Sequence, residues 1–243
     1  MKFGLIGKSL KHSFSQNYFQ GKFATLGLSH YRYENFELNG IGELPALLLN
    51  HPGLKGYNVT FPFKEVIIPF LDGLSPDAKA IGAVNTVVKH KGQWIGHNTD
   101  WWGFKESIDP LLSVHQQRCL VLGSGGAAKA VAYALDQMGM THLLVSRTPK
   151  GSGQIGYLEA GQLLEDHRVL INTTPRGTYP AVEDRPPIEL YHLSEEHLVY
   201  DLIYNPAKTA LLKEAEFRGA QIANGLKMLE LQAEKAWEIW NEL

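Results

Sequence analysis

Apolar positions along this chain follow two periods. Short apolar or alternating runs read as strands, and between them lie stretches whose apolar residues recur three or four apart, as on a helix face. In the first hundred residues the pattern predicts strands over Phe3–Ile6, Tyr31–Phe36 and Gly56–Thr60, with helices over Gln16–Leu26 and Glu43–Leu49, the latter entered through Pro45. A further helix is expected after Thr60, with Lys64 in its first turn. Ser75-Pro76-Asp77 opens a short helix, and a strand after Gly82 turns back at His90-Lys91-Gly92. Its partner brings Asn98 and Asp100 to the start of a helix over Trp101–Ile108. The alternation resumes with Cys119–Leu122 (strand), Ala127–Leu135 (helix), Thr141–Val145 (strand), Tyr157–Leu164 (helix), Val169–Thr174 and Leu198–Ile203 (strands), Thr209–Phe217 (helix) and Gln221–Ala223 (strand). Gly151-Ser152-Gly153 reads as a flexible loop, and Tyr179–Pro187 as a proline-rich one. The last helix carries a stripe of Leu226, Leu229, Ala233, Ala236, Trp237 and Trp240, with Gln232 off the stripe beside Met228. Strands alternating with helices define an α/β protein.

The most informative stretch is Arg118–Ala130. A strand covered on both faces runs straight into Gly123-Ser124-Gly125-Gly126, then into a strong helix former. Gly123 and Gly125 let the main chain approach a pyrophosphate, Ala128 permits close helix-to-strand packing, and first-turn N–H groups offer the positive end of the helix dipole to a phosphate. Roughly 20 residues past the first glycine, an NAD site places an acidic side chain on the ribose 2′-hydroxyl. This chain has Ser146-Arg147-Thr148 there, with Lys150 nearby. A guanidinium and hydroxyls suit a 2′-phosphate, so NADP is the expected cofactor.

Composition narrows the class. With 243 residues, 44% hydrophobic and 20% charged, the chain suits one large domain or two small ones. A net charge of -2 gives no electrostatic reason to expect nucleic acid or an acidic membrane, so a small-molecule partner is expected. No run approaches the roughly 18 apolar residues of a membrane helix. The one cysteine, Cys119, excludes an internal disulfide, sits in an apolar strand as a buried, inert thiol, and fits a cytoplasmic location. The ten histidines are scattered without zinc spacing, so no metal is expected.

Polar residues at the ends of the first strands form a second group. Ser9, Ser13 and Ser15 share one loop, where Ser15 is a candidate helix cap and the set together could grip a hydroxylated or carboxylate ligand. Asn58, Lys64, Asn85 and Asp100 fall at strand ends or in the loops after them, where open α/β sheets bind ligands. A lysine in a helix's first turn opposes the dipole, an environment that lowers an ammonium pKa toward the range of a general acid.

Taken together, these residues resemble the shikimate dehydrogenase family. The likeness runs through His12-Ser13-Phe14-Ser15, Asn58 to Lys64, Gly82 to Thr86, Gly96 to Asp100, Gly123 to Ala127, Ser146-Arg147-Thr148, Asn172 to Pro175, Tyr200 to Pro206, and Gly225 to Leu229 with Gln232. It departs from the family pattern at Gln16, Ser146 and Gly151. The resemblance implies NADPH-dependent reduction of 3-dehydroshikimate to shikimate on two α/β domains. A substrate domain would comprise residues 1–100 and 225–243, and a Rossmann-like NADP domain residues 101–224, with the C-terminal helix returning to the N-terminal domain. It further implies that Lys64 and Asp100 form the catalytic pair and that Ser13, Ser15, Thr60, Asn85, Asp100, Tyr204 and Gln232 contact substrate. Gly123, Ser124, Gly125, Gly126, Ala127, Ser146, Arg147, Thr148, Lys150, Thr173 and Gly225 would contact the cofactor. Chemically, a positioned Lys64 can stabilise the nascent alkoxide and protonate it, with Asp100 orienting the ammonium. A quinate/shikimate dehydrogenase with relaxed substrate or NAD use is a rival with the same pair, and a non-catalytic nucleotide sensor is a rival of another class. The sequence leaves monomer and homodimer both open.

Overall fold

A computed structural model describes residues 1–11 and 13–242; His12, in the serine loop, and the terminal Leu243 lie outside the described residues. The chain forms two compact units, Met1–Thr99 with Ala233–Leu243, and Asp100–Gln232.

The first unit is built on β1 (Lys2–Gly7), α1 (Phe14–Thr25), β2 (Arg32–Glu37), α2 (Leu44–Asn50), β3 (Leu54–Val59), β4 (Gly73–Leu74), α3 (Pro76–Ile81), β5 (Thr86–His90) and β6 (Gln93–His97). Its sheet has the order β2-β1-β3-β5-β6-β4. Side chains alternate between two cores. Ile6, Phe36, Tyr57, Val59 and Val87 pack with Leu44 and Ala78 from α2 and α3. Phe3, Leu5, Tyr33 and Val88 pack with Phe19 and Phe23 of α1 and with Ala233, Ala236 and Trp240. Ser75 caps α3 as its sequence suggests, accepting from the Ala78 N–H at 3.2 Å.

Two local expectations are corrected. Ser13, not Ser15, holds the N-cap position of α1, and its side chain makes no capping bond. No α-helix follows β3: Lys64 lies in a run of turns that ends in a short 3-10 helix over Ile68–Phe70. Pro69 has no N–H to donate and its ring would meet the carbonyl of Glu65, while the carbonyl of Lys64 accepts from Val84 N–H at 2.7 Å instead of continuing a helical ladder. The dipole argument for Lys64 therefore lapses.

The second unit contains α4 (Asp100–Ile108), β7 (Arg118–Leu122), α5 (Gly126–Gln137), β8 (Thr141–Val145), β9 (Gln154–Ile155), α6 (Tyr157–Leu163), β10 (Val169–Asn172), β11 (Leu198–Asp201), α7 (Ala210–Phe217), β12 (Gln221–Asn224) and the front of α8 (Leu226–Asn241). Read from the other edge, the strand order is β9-β8-β7-β10-β11-β12, and every pairing is parallel. Successive residues of β7 go to opposite faces: Leu120 and Leu122 meet α6 and α7, whereas Cys119 and Val121 meet α4 and α5. Cys119 is fully buried, and burial pushes its thiol up to about 12.

Helix α8 crosses the boundary between the units. Its residues up to Gln232 belong to the second unit, where Met228 is buried with Phe104 and Tyr200. The buried stripe is also rotated from the expected one: Met228, Gln232, Ala233, Ala236 and Trp240 are buried, and Leu226 is exposed.

In the first unit, Trp240 donates to the carbonyl of Val87 at 3.0 Å and its indole lies over Gly56. A β-carbon at Gly56 would collide with that indole and stand 2.8 Å from the Val87 carbonyl oxygen. Gly56→Ala is therefore expected to destabilise the first unit by about 1–3 kcal/mol, the usual effect of overpacking, seen as a lower urea midpoint. An unchanged midpoint would show that the helix is not seated this tightly.

Candidate active site

Only β5 runs against its neighbours β3 and β6 in the first unit, so the carboxyl ends of β1, β3 and β6 share one sheet edge with the amino end of β5. This edge gathers the start of α1, with Ser13 and Ser15, and the loops that carry Thr60 and Lys64, Asn85, and Asn98-Thr99. A buried polar network holds it. Asn85 Oδ1 accepts from the Thr99 N–H at 2.7 Å, and Asn85 Nδ2 donates to Thr99 Oγ1 at 2.9 Å. Asn58 Nδ2 donates to Thr86 Oγ1 at 3.0 Å and to the Asn85 carbonyl at 3.2 Å, and its Oδ1 accepts from Tyr33 at 2.8 Å. Asn98 Nδ2 donates to the Ala83 carbonyl at 2.9 Å. These side chains are almost wholly buried, where an unpaired amide costs about 1–3 kcal/mol, so the network admits few alternative arrangements.

Ser15 hydrogen-bonds the Tyr33 phenol, whose pKa burial drives well above its ordinary value. The Thr60 methyl covers Gly7, and Lys64 is half-buried, its backbone tied beside Asn85 through Val84. The Ser13 hydroxyl oxygen is buried with no hydrogen-bond partner among the described residues. A buried hydroxyl without a partner is unfavourable unless a ligand supplies one.

Asp100 is the first residue of α4, buried, and directly follows the pinned Thr99. One turn on, Gly103 lets α4 cross α8 closely, since a β-carbon there would stand 2.7 Å from the Met228 carbonyl and 2.9 Å from the Gln232 nitrogen. Gln232 is buried at this crossing and donates to the Leu229 carbonyl at 2.9 Å. Asp100 and Gln232 thus belong to crossing helices of the second unit.

In the second unit the strand order reverses direction between β7 and β10, the crevice where such sheets bind dinucleotides. Gly123 has φ +120°, a conformation that favours glycine, and packs against the Thr173 hydroxyl, which donates to the Leu122 carbonyl at 2.6 Å. Thr173 shapes the turn from below. Gly125 occupies the N-cap position of α5 with no side-chain cap, and a β-carbon there would meet nothing within 4 Å. Ser124 is exposed, and Gly126 and Ala127 form the first turn. A turn with open space at Gly125 and first-turn N–H groups that no side chain caps fits a pyrophosphate. After β8, Arg147, Thr148 and Lys150 are exposed, whereas Ser146 turns inward, its N–H donating to the Ile155 carbonyl at 3.0 Å. Tyr204 lies half-buried in the loop after β11. At Gly225 a β-carbon would fall onto the Leu202 carbonyl, so that glycine has a packing reason of its own.

A family profile described as the shikimate dehydrogenase substrate binding domain matches residues 5–87. The chain is 40% identical to the shikimate dehydrogenase (NADP(+)) of Shouchella clausii, covering 98% of this chain and 92% of that protein. The crystal structure of shikimate dehydrogenase from Aquifex aeolicus superposes with a TM-score of 0.90 at 37% identity, over 100% of this chain and 93% of that one. The Thermus thermophilus shikimate 5-dehydrogenase in complex with NADP(H) and shikimate gives 0.89 at 32% identity, over 100% and 94%. The chain belongs to the shikimate dehydrogenase family. Among the described residues of this family member, no group of histidine, cysteine and carboxylate side chains could hold a metal ion, and no helix is long and apolar enough to cross a membrane.

Sequence reasoning missed the residue that ties the loops after β10 and β11 together. Asp201, at the end of β11, is fully buried. One carboxylate oxygen accepts from Asn172 Nδ2 at 2.9 Å and the Ile203 N–H at 3.1 Å, and the other from the Thr209 hydroxyl at 2.6 Å. Asn172 Oδ1 in turn accepts from the Thr174 hydroxyl at 2.7 Å. Burial pushes the Asp201 carboxyl up to about 6, against the lowering effect of those hydrogen bonds. The unfolded value is about 3.9, so the native state holds more protons between these values, and ionising Asp201 costs about 3 kcal/mol of stability. Its contribution is greatest below about pH 4 and declines as pH rises through about 6. Asp201→Asn keeps the acceptor for Asn172 and Ile203 and can donate to Thr209. The stability difference, wild type minus variant, is therefore expected to fall between pH 4 and 6.5 and to be flat above, in urea unfolding at a series of pH values. A difference independent of pH would place the titration elsewhere.

Proposed function

We propose that this chain catalyses the reversible NADPH-dependent reduction of 3-dehydroshikimate to shikimate, the reaction class of its family. The observation that carries the reading is the full-length kinship, supported by a glycine turn with open space at Gly125 and by the buried Ser13 hydroxyl, which has no partner among the described residues. NADPH, when bound, supplies the hydride. The chain's own residues do the rest. Ser13, Ser15, Thr60, Asn85, Tyr204 and Gln232 recognise the hydroxyls and carboxylate of the substrate, and buried polar groups left unpaired reject analogues lacking them. Lys64 stabilises the developing alkoxide through its ammonium and donates the proton to that oxygen; in the reverse direction it removes the proton from the shikimate hydroxyl. Asp100 orients the ammonium. Arg147, Thr148 and Lys150 favour NADP over NAD. The enzyme acts in the cytoplasm as a monomer or homodimer.

Initial rates crossing shikimate and quinate with NADP⁺ and NAD⁺ test the substrate and cofactor assignment, with shikimate and NADP⁺ expected to give the highest kcat/KM. In the same assay Lys64→Ala is expected to lose roughly 10²- to 10⁴-fold in kcat with little change in KM, the range for removing a general acid. Near-full turnover by that variant would remove Lys64 from the chemistry.

A further inference from the structure

The loops after β8 and β10 flank the glycine turn of β7, because β7 lies between those strands. The first loop, Ser146 to Lys150, holds no carboxylate to bind a ribose 2′-hydroxyl, and it exposes Arg147. The second exposes Arg176, four residues past the end of β10. Arg176 stands on a fixed turn. Its N–H donates to Thr174 Oγ1 at 3.4 Å, Thr174 is bonded to Asn172, and the turn is closed by the Thr178 N–H to the Pro175 carbonyl at 3.1 Å. Gly177 follows at φ +99°, with room for a β-carbon limited by the Asp184 carbonyl at 3.1 Å. Through Asn172 this turn is part of the Asp201 network.

The charges of both arginines are felt at one side chain. Tyr157, two residues past β9, is half-buried; burial raises its phenol pKa, and the charges of Arg176 and Arg147 pull it back down, so both guanidinium groups lie within Coulombic reach. Arg176 Nη1 also contacts Asp184 Oδ1 at 3.2 Å and the Arg185 carbonyl at 3.4 Å. That ion pair is exposed on both sides and is worth little in water, and a guanidinium has five donors to share. A phosphate dianion competes well for such a group.

We propose that Arg176 is a specificity determinant of the dinucleotide site, binding together with Arg147 the 2′-phosphate that distinguishes NADP from NAD. The inference rests on the NADP reading above and assigns a residue to it from a different strand end. Nothing in the sequence around Arg176 marks it, since it follows a proline in a loop whose partner loop is nearly thirty positions away.

Calorimetric titration of the full chain with adenosine 2′,5′-bisphosphate and with AMP tests it without relying on turnover. Arg176→Ala is expected to weaken the bisphosphate about tenfold and AMP by less than about twofold, as is Arg147→Ala. A role confined to folding the loop would weaken both probes alike, and that result, or an unchanged bisphosphate affinity, overturns the proposal. Wild-type protein that binds neither probe would instead overturn the cofactor reading itself.

Discussion

Asn85 is where the first unit's architecture becomes a site. Its side chain accepts from the Thr99 backbone and donates to the Thr99 hydroxyl, and its carbonyl takes bonds from Val59 N–H and Asn58 Nδ2. One amide therefore ties the end of β3, the start of β5 and the end of β6. Because these groups are out of water, each must find its partner within the protein, and the arrangement that satisfies all of them fixes the backbone from which Asp100 departs. Asn58, Thr86 and Tyr33 extend the constraint toward Ser15. The residues at this sheet edge inherit their order from a network that mostly faces inward.

The second unit solves a parallel problem differently. Its phosphate cradle is made of backbone, so what must be fixed is the path of the loops rather than any single side chain. Thr173 fills the space under Gly123, and Asp201 gathers the ends of β10 and β11. A carboxylate kept among hydrogen-bond donors in the core carries a desolvation cost, visible in its raised pKa. That cost is offset by the several loops it organises at once.

Much of this was legible in the chain. The period of the apolar positions found nearly every strand and helix, with Thr141–Val145 matching residue for residue, and the glycine run after β7 marked the cradle. What failed did so where tertiary partners overrule local pattern. The Lys64 segment looked helical, but Pro69 and the Val84 N–H direct its backbone elsewhere. Ser15 looked like a cap and is instead a residue of α1 bonded to Tyr33 of β2. Gln154–Ile155, between the expected loop over Gly151-Ser152-Gly153 and the helix at Tyr157, forms the edge strand β9, too short for periodicity to register. The part Asp201 plays in ordering its loops was invisible because its partner Asn172 is distant in sequence and is set by strand register.

The most direct test of the central claim is the turnover of Thr99→Val, a near-isosteric change that removes the hydroxyl bonded by Asn85 and leaves the fold's apolar packing alone. If the network fixes the backbone that carries Asp100, shikimate oxidation at saturating substrates should fall at least about tenfold with far-UV circular dichroism unchanged, since small misplacements of catalytic groups cost up to about 10²-fold. Wild-type turnover by that variant would contradict the account and show that the bond between Asn85 and the Thr99 hydroxyl does not set this corner.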